Sequence, residues 1–214
     1  MHPAELWSPL EKGAVQCRLC CHFCRIDDGG RGQCGVRVNQ GGALYTLVRS
    51  RVAALNVDPV EKKPLYHFLP GTRTLSFGTM GCTMACTFCQ NHELSQPPRH
   101  GGQIQGQTVT PETLVEAARD AGCASISYTY SEPTVFFELM RDTAQAARGA
   151  GLANIMVSNG FMSPECLERL SSLIDAANID LKGFTDDFYR GVCHARLEPV
   201  RRNLKRMREM GWWL

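Results

Sequence analysis

Residues 74–91 read TLSFGTMGCTMACTFCQN, an apolar strand followed at once by a loop with three cysteines. The strand is predicted over 74–79. Three more segments, 125–130, 154–159 and 177–182, are apolar enough to be buried on both faces, as the strands of a parallel sheet are. Because helical patterns separate these segments, the sequence predicts an α/β protein with a parallel sheet, either open or closed into a barrel.

The helices are predicted from their end signals. The pairs Thr-Pro at 110–111 and Ser-Pro at 163–164 each combine an N-cap with a first-turn proline. A third helix over about 133–148 is expected to end at Gly149 as its C-cap. A last helix over 198–210 precedes GWWL, which has the pattern of the start of a fifth strand. We therefore expect the chain to be a C-terminally truncated form of a longer protein.

The loop after the first strand has the pattern of a metal-cluster site. Its cysteines, Cys82, Cys86 and Cys89, are spaced by three and then two residues. Cysteine thiolates hold iron–sulfur clusters, and a 4Fe-4S cluster normally takes four of them. If the protein supplies three, one iron stays open to a substrate, as a catalytic zinc keeps an open position. A zinc site with His92 as the fourth ligand is the alternative.

Composition limits the class of protein. With 214 residues, 43% of them hydrophobic, the chain can form one sizeable core, with or without a small appendage. Its 23 basic and 21 acidic residues are interspersed, which argues against nucleic-acid or membrane-surface binding. It has neither a secretory signal pattern nor an apolar run of ~20 residues. We therefore expect a cytoplasmic protein, in which clustered cysteines are metal ligands rather than disulfides.

A second cysteine cluster lies near the N-terminus, in CRLCCHFCRIDDGGRGQC (17–34). It offers four thiolates, with Cys21 and His22 in reserve: Cys17, Cys20, Cys24 and Cys34. This spacing suits zinc or a second iron–sulfur cluster. We interpret it as a structural metal site that folds a core-poor module, with an electron relay as the alternative. The isolated Cys123, Cys166 and Cys193 are interpreted as small buried residues.

The chain is predicted to have two parts. Residues 1–57 form the cysteine-rich metal-binding module, with short strands over 43–48 and 51–57, and residues 58–214 form the core. The core begins with DPVEKKPLYHFLPG (58–71), whose three prolines predict an irregular loop. In this loop Lys62, Lys63 and His67 either contact substrate or belong to a segment that only closes the barrel.

Polar residues at the ends of the predicted strands are the candidate binding residues. Glu132 follows the second strand, Ser158 and Asn159 end the third, and Asp180 and Lys182 end the fourth. Ligands of parallel α/β proteins collect at the carboxyl ends of the strands. The alternatives are a carboxylate that stabilises a helix N-terminus for Glu132, and a solvent-exposed turn for Asp180 and Lys182.

Taken together, these segments resemble the radical S-adenosylmethionine (SAM) enzymes. The spacing Cys82-x3-Cys86-x2-Cys89, with Phe88 before the last cysteine, matches their signature. The segments DPVEKKPLYHFLPG, YTYSEPTVFF, SNGF and IDLKGF are similar to the pyruvate formate-lyase activating enzyme-like group, and most similar to the AmmeMemoRadiSam-system radical enzymes. The resemblance implies a partial (β/α)6 TIM-like radical SAM barrel that lacks its last strands.

The resemblance also implies an activity. SAM would chelate the open iron, and an electron from the 4Fe-4S cluster would cleave its sulfonium C–S bond to methionine and a 5′-deoxyadenosyl radical. Such an oxidoreductase modifies a protein or peptide, either the glycine of a glycyl-radical enzyme or a substrate handled with AMMECR-type and Memo-type proteins. The implied electron donor is a flavodoxin or ferredoxin. The alternative is a non-catalytic iron–sulfur electron carrier or a metal-stabilised interaction module.

By the same resemblance, individual residues receive roles around SAM. Glu132 would accept a hydrogen bond from its amino group, and the segment with Ser158 and Asn159 would contact its carboxylate or ribose. Asp180, with Lys182 beside it, matches an aspartate near a monovalent-cation site, although Val157 stands where the family has an acidic residue.

Two residues of the cysteine loop itself, Phe88 and Asn91, would frame the adenine pocket of SAM. An aromatic side chain beside a cluster also shields the cluster from water, which is the alternative role for Phe88.

Overall fold

The central feature of the computed structural model, which describes residues 1–214, is a five-stranded sheet flanked by smaller sheets. In chain order the strands are β1 (His2–Pro3), β2 (Trp7–Pro9), β3 (Val15–Cys17), β4 (Arg25–Ile26), β5 (Arg37–Gln40), β6 (Ala43–Thr46), β7 (Arg51–Val52), β8 (Ala54–Pro59), β9 (Arg73–Gly78), β10 (Gln107–Thr108), β11 (Ser125–Tyr128), β12 (Ala153–Ser158) and β13 (Ala176–Ile179).

Six helices lie between and after the strands of the large sheet. They are α1 (His92–Ser95), α2 (Pro111–Asp120), α3 (Phe137–Gly149), α4 (Pro164–Leu170), α5 (Asp186–Phe188) and α6 (Leu197–Glu209). Short 3-10 segments cover Glu11–Gly13, Val60–Lys62, Pro97–His100 and Pro133–Phe136, and a π-helical turn covers Tyr189–Cys193. None of these helices combines the length and apolar character needed to cross a membrane.

The large sheet has the order β13-β12-β11-β9-β8. The predicted parallel pairing is confirmed for β9, β11, β12 and β13, with α2, α3 and α4 in the connections. Beyond β13, Trp213 forms a parallel bridge with Ala176, where the start of a fifth strand is predicted. The fifth member of the sheet, β8, pairs antiparallel with β9. The carboxyl ends of four parallel strands therefore meet at one edge.

Helix capping confirms two predictions and corrects one. Thr110 Oγ1 accepts a hydrogen bond from the Thr113 backbone N–H at 3.3 Å, and Ser163 Oγ caps α4 in the same way. The prediction that Gly149 caps α3 is wrong, because Gly149 is still helical and Ala150 is the C-cap. The left-handed position falls two residues later, on Gly151 with φ +76°.

The N-terminal part packs directly onto the large sheet and its helices. It contains two antiparallel sheets, β1-β6-β5 and β2-β3-β4. One hydrophobic cluster includes Val15 and Ile26 from this part together with Phe136 and Leu139 from α3 and the segment before it. The predicted boundary between residues 57 and 58 falls inside β8, so the irregular loop begins after Pro59 rather than at residue 58.

Candidate functional site

A cavity of about 560 Å³ opens at the edge where the carboxyl ends of the parallel strands meet. It brings together all the residues predicted to bind SAM or the cluster: Cys82, Cys86, Cys89, Phe88, Asn91, Glu132, Ser158, Asn159, Asp180 and Lys182. These residues come from the ends of β9, β11, β12 and β13, which are far apart in the chain. Of the residues in the loop after β8, Lys62 and Lys63 line the cavity and His67 does not.

The cysteine loop is held in shape by backbone conformation and by hydrogen bonds to sulfur. Gly81 has φ +100°, and a Cβ there would lie 2.7 Å from Val36 Cγ1, so the position requires glycine. The Met84 N–H donates to Cys82 Sγ at 3.4 Å, and Cys89 Sγ lies 3.3 Å from Ser95 Oγ. Such contacts orient the sulfurs before any metal binds.

The chemistry of these sulfurs fits an iron–sulfur cluster. Burial raises the pKa of the Cys82 thiol well above its usual value and that of Cys86 to about 12, with a contact to Cys193 adding to the shift at Cys86. Uncharged thiols are therefore favoured without metal, and a metal must displace their protons. Soft thiolates that line one cavity are the donor set of such a cluster.

The zinc alternative has no support in this geometry. His92 does not line the cavity. No group of three or more His, Cys, Asp or Glu side chains converges closely enough to hold a single metal ion. In a 4Fe-4S cluster each cysteine binds a different iron, so the three sulfurs do not have to surround a single point. Their separation is therefore compatible with a cluster on the three cysteines.

Four hydrogen bonds hold the carboxylate of Glu132 in the cavity. Its side chain is buried, with the residue 1% exposed. One oxygen, Oε1, accepts hydrogen bonds from the Thr134 N–H and hydroxyl at 3.1 and 2.6 Å and from the Ser158 hydroxyl at 2.7 Å. The other, Oε2, accepts from the Asn159 N–H at 2.9 Å. Burial raises the pKa of Glu132, and these hydrogen bonds oppose the rise. Because Oε2 carries one bond, it can accept another from a ligand.

The end of β12 organises both Glu132 and the cysteine loop. Ser158 Oγ accepts a hydrogen bond from the Gly160 N–H at 3.0 Å while it donates to Glu132. Asn159 Nδ2 donates to Thr83 Oγ1 at 3.0 Å and approaches Cys82 Sγ at 3.6 Å. Both side chains thus contact other protein groups, which makes them positioning residues as well as cavity lining.

The end of β13 brings a positive charge to the thiols. Lys182 Nζ donates to Asp180 Oδ2 at 2.9 Å and lies 6.0 Å from the centre of the Phe88 ring. Burial opposes the charge of Lys182, but its ion pair with Asp180 outweighs burial and, with smaller contributions from Cys86 and Cys82, raises its pKa. The lysine therefore remains an ammonium beside the cysteines. Phe88 is 50% exposed and sits at the mouth of the cavity.

Asn91 fixes a strained residue of the opposite wall. Its Nδ2 donates to the Tyr130 carbonyl at 2.7 Å. Tyr130 has φ +67°, a left-handed conformation that costs a non-glycine residue on the order of 1–3 kcal/mol. The sequence shows that YTYSEP ends a strand, but no pattern in it indicates the strain at Tyr130.

Cys193 belongs to the site, although no pattern in the sequence places it there. The two neighbours of Cys86 are bonded to the backbone around Cys193. The Ala85 N–H donates to the Cys193 carbonyl at 3.0 Å, and the Thr87 N–H donates to the Val192 carbonyl at 3.1 Å. The buried Cys193 thiol contacts Cys86, and this contact contributes to the raised pKa of Cys86. The prediction that it is a small buried residue is confirmed for its burial but omits this contact.

The N-terminal cysteines form a separate group away from the cavity. Cys17, Cys20 and Cys34 are buried, and Cys24 is half-buried. Burial raises the pKa of Cys20, and the charges of the other three add to the rise, so the four sulfurs share one neighbourhood. A metal at these cysteines stays a prediction. Outside this group, Cys21 donates to the Met162 carbonyl at 3.2 Å.

The cavity lies at the edge of the sheet where the carboxyl ends of the parallel strands meet, and it holds three cysteines and a buried glutamate. This arrangement is that of an enzyme that binds a metal cluster and a small cosubstrate. Residues 77–213 match the model of the radical SAM superfamily, and the chain belongs to that superfamily. The cofactors of the superfamily are a 4Fe-4S cluster and SAM.

Similar proteins extend beyond the length of this chain. The "Uncharacterized protein MJ0808" of Methanocaldococcus jannaschii is 42% identical over 214 residues, which are the whole chain and 63% of that protein. The crystal structure of Streptococcus suis SuiB bound to S-adenosylmethionine is 18% identical with a TM-score of 0.49, over 63% of this chain and 30% of SuiB. The structure of TYW1 with a lysine-pyruvate adduct is 18% identical with a TM-score of 0.43, over 67% of this chain and 53% of TYW1.

Proposed function

We propose that this chain is part of a radical SAM enzyme that reductively cleaves SAM and uses the resulting radical to modify a protein or peptide. The observation that carries the proposal is the single cavity that holds the three cysteines and the buried Glu132. Family membership supports the cofactors, and the placement of the side chains supports their use in one reaction site.

Each cavity residue has a role that follows from its contacts. Cys82, Cys86 and Cys89 would hold the 4Fe-4S cluster, which when bound supplies the electron that cleaves the sulfonium bond of SAM. Glu132 Oε2 has room to accept a hydrogen bond from an ammonium group, since it is bonded only to Asn159. The surrounding donors prevent the carboxylate from turning away.

Lys182 and Asp180 would bind the charged end of SAM. The ammonium of Lys182 lines the same cavity as the three cysteines and would be available to the carboxylate of a SAM molecule bound there. Asp180 holds that ammonium at 2.9 Å, so its position is set before SAM enters. Phe88 and Asn91 line the same cavity and would border the adenine ring.

The finer assignment follows the sequence resemblance. We propose an activating-enzyme-like oxidoreductase of the AmmeMemoRadiSam type, which receives electrons from a flavodoxin or ferredoxin and works in the cytoplasm. AMMECR-type and Memo-type proteins are the proposed partners. The four parallel strands would be the first of a (β/α)6 barrel, with residues 1–57 as a module that holds a second metal at Cys17, Cys20, Cys24 and Cys34.

A non-catalytic electron carrier is the alternative that the experiment must separate. A carrier needs a closed cluster with four protein ligands and has no use for a buried carboxylate with a free acceptor site. The contacts of Glu132 therefore favour the enzyme.

The test is anaerobic reconstitution of the full-length protein with iron and sulfide, followed by dithionite and SAM. We expect 5′-deoxyadenosine and methionine from the wild type. Cys86→Ala should lose both the products and the cluster absorbance, whereas the matched control Cys123→Ala, at a buried cysteine outside the cavity, should retain both. Iron-loaded wild type that forms no 5′-deoxyadenosine would contradict the proposed function.

A further inference from the structure

A pair of adjacent lysines shares one carboxylate in the wall of the cavity. Lys62 Nζ donates to Asp58 Oδ1 at 2.8 Å, and Lys63 Nζ donates to Asp58 Oδ2 at 2.7 Å. Tyr130 holds the same Oδ2 through its hydroxyl at 2.9 Å, and Asn56 Nδ2 donates to that hydroxyl at 3.0 Å. Asp58 is buried at the end of β8, so the whole group is fixed to the sheet.

Lys63 has hydrogen-bonding capacity that the protein does not use. Its side chain is 4% exposed, and its only hydrogen bond is to Asp58. An ammonium has three N–H donors, and a buried charge without sufficient partners is costly. The ring of Tyr130, 5.1 Å from Nζ, covers one side of the ammonium. Lys63 also lines the cavity, as does the more exposed Lys62.

We propose that Lys62 and Lys63 form a carboxylate-binding subsite that holds an acidic group of the substrate in the reaction cavity. The inference rests on the proposed function, because it assigns one part of the cavity to the substrate and the other to SAM. It specifies the class of substrate as one that carries a carboxylate near the position from which hydrogen is removed.

The positions of the lysines separate this subsite from the one for SAM. Lys182 follows β13, and its Nζ lies 6.0 Å from the ring of Phe88 in the cysteine loop. Lys62 and Lys63 follow β8, which forms the opposite edge of the large sheet, and both are bonded to Asp58. The lysine pair and Lys182 therefore approach the cavity from opposite edges of the sheet, and the part of the cavity beside the lysine pair is left for substrate.

Charge balance indicates a carboxylate rather than a phosphate. Two ammonium groups and one carboxylate leave a single positive charge in the wall of the cavity. One monoanion neutralises that charge, whereas a phosphate dianion would leave one negative charge uncompensated in a cavity that also holds the Glu132 carboxylate. Ser131 supplies a further donor, since its Oγ is buried without a partner and the residue lines the cavity.

The experiment measures binding of model compounds to the reconstituted holoenzyme with SAM present, by calorimetry at constant ionic strength. The probes are N-acetylglutamate methylamide, its glutamine isostere, glutarate and inorganic phosphate. We expect wild type to prefer the glutamate probe over the glutamine probe about tenfold or more, as a charge-assisted hydrogen bond provides. Glutarate that binds in place of the blocked glutamate would identify a free organic acid as the source of the carboxylate.

Variants test whether the lysines cause the preference. Lys62→Ala and Lys63→Met should each reduce the preference for the glutamate probe over the glutamine probe about tenfold. Lys62→Arg should retain most of this preference, and the exposed control Lys205→Ala should leave it unchanged. Circular dichroism of each variant verifies folding, and Lys62→Ala serves if Lys63→Met fails to fold. Equal binding of the glutamate and glutamine probes, or tighter binding of phosphate, would overturn the proposal.

The same preparation keeps the subsite and the proposed function apart. Formation of 5′-deoxyadenosine by wild type tests the radical chemistry, whereas the probe preference is a binding measurement that needs no turnover. Wild type that binds the glutamate probe selectively but forms no 5′-deoxyadenosine would refute the proposed function alone.

Discussion

A Glu138→Gln substitution is expected to destabilise the whole chain, including residues far from the N-terminal part to which Glu138 is bonded. Arg37 on β5 and Glu138 on α3 form two hydrogen bonds of 2.8 Å, with side chains 0% and 3% exposed. The Glu5 N–H also donates to Glu138 Oε1 at 2.8 Å. The pair thus ties the predicted module of residues 1–57 to the core.

The magnitude follows from leaving a cation without its counterion. Glutamine keeps the shape of the side chain but removes the charge, so the guanidinium of Arg37 stays buried and unpaired. Breaking one partner of a buried ion pair costs about 3–5 kcal/mol. For a chain of this size, 1 kcal/mol corresponds to about 2–4 °C in Tm, so the melting temperature should fall by about 6–20 °C.

The assay is thermal and urea unfolding followed by circular dichroism, with Glu168→Gln as the matched control. Glu168 pairs with Arg206 on the surface, with side chains 52% and 46% exposed, and such pairs contribute about 0–1 kcal/mol. One cooperative transition shifted as a whole is expected for Glu138→Gln. A shift no larger than that of the control, or a separate early transition for the N-terminal part, would refute the reasoning.

Three further substitutions test the cavity. Glu132→Gln should weaken SAM binding to the reconstituted protein about tenfold or more, because an amide cannot accept all the hydrogen bonds that a carboxylate accepts. An equilibrium dissociation constant for SAM within twofold of that of wild type would count against a role of Glu132 in SAM binding. Cys193→Val should keep the iron content but move the reduction potential of the cluster to a more negative value than in the Cys123→Val control. In the metal-free protein the Cys86 thiol is the donor in this contact, but a Cys86 that holds the cluster has lost its proton, so the Cys193 thiol would then donate to its sulfur, and valine removes that donor. Redox titration followed by electron paramagnetic resonance checks this, and an unchanged potential argues against it. Hydrogen bonds from two lysines outweigh burial and hold the pKa of Asp58 well below its usual value. Asp58 therefore contributes fully to the free energy of unfolding above about pH 3.9, its ordinary pKa, and this contribution is lost as the pH falls further toward the lower pKa of the folded state. Urea unfolding at about pH 6 and pH 3 should show that the free energy of unfolding decreases less in Asp58→Asn than in wild type; an equal decrease in both would count against this.

The parallel strands and their cavity edge are predictable from sequence because their determinants are local. The segments around Ile126 and Ile155 are apolar on both faces, and the Ser-Pro pair at 163–164 marks a helix start by itself. Once strands and helices alternate, the carboxyl ends must meet at one edge, and Glu132 and Lys182 line the same cavity as a consequence.

The lysine subsite and the Cys193 contact are not predictable because they depend on long-range pairing. Lys62 and Lys63 line the cavity although β8, antiparallel to β9, ends opposite Arg73 at the amino end of that strand, and no periodicity in the sequence specifies that pairing. Cys193 reaches Cys86 through backbone hydrogen bonds between two irregular segments. Residues 1–57 read as core-poor for the same reason. Their apolar side chains pack against partners that are distant in the chain, such as Leu139 in α3, and these partners are not visible in the local sequence.

Tyr130 connects the cysteine loop to the lysine subsite. Its left-handed backbone is unfavourable by itself, so the contacts at both ends of the residue must compensate for that strain. At one end its carbonyl accepts from Asn91, which follows the last cysteine of the loop, and at the other its hydroxyl holds Asp58. A rearrangement of the cysteine loop that released Asn91 would free the strained backbone and move the hydroxyl that positions Asp58. Order in the cysteine loop is therefore coupled, through one residue, to the geometry of the proposed carboxylate subsite.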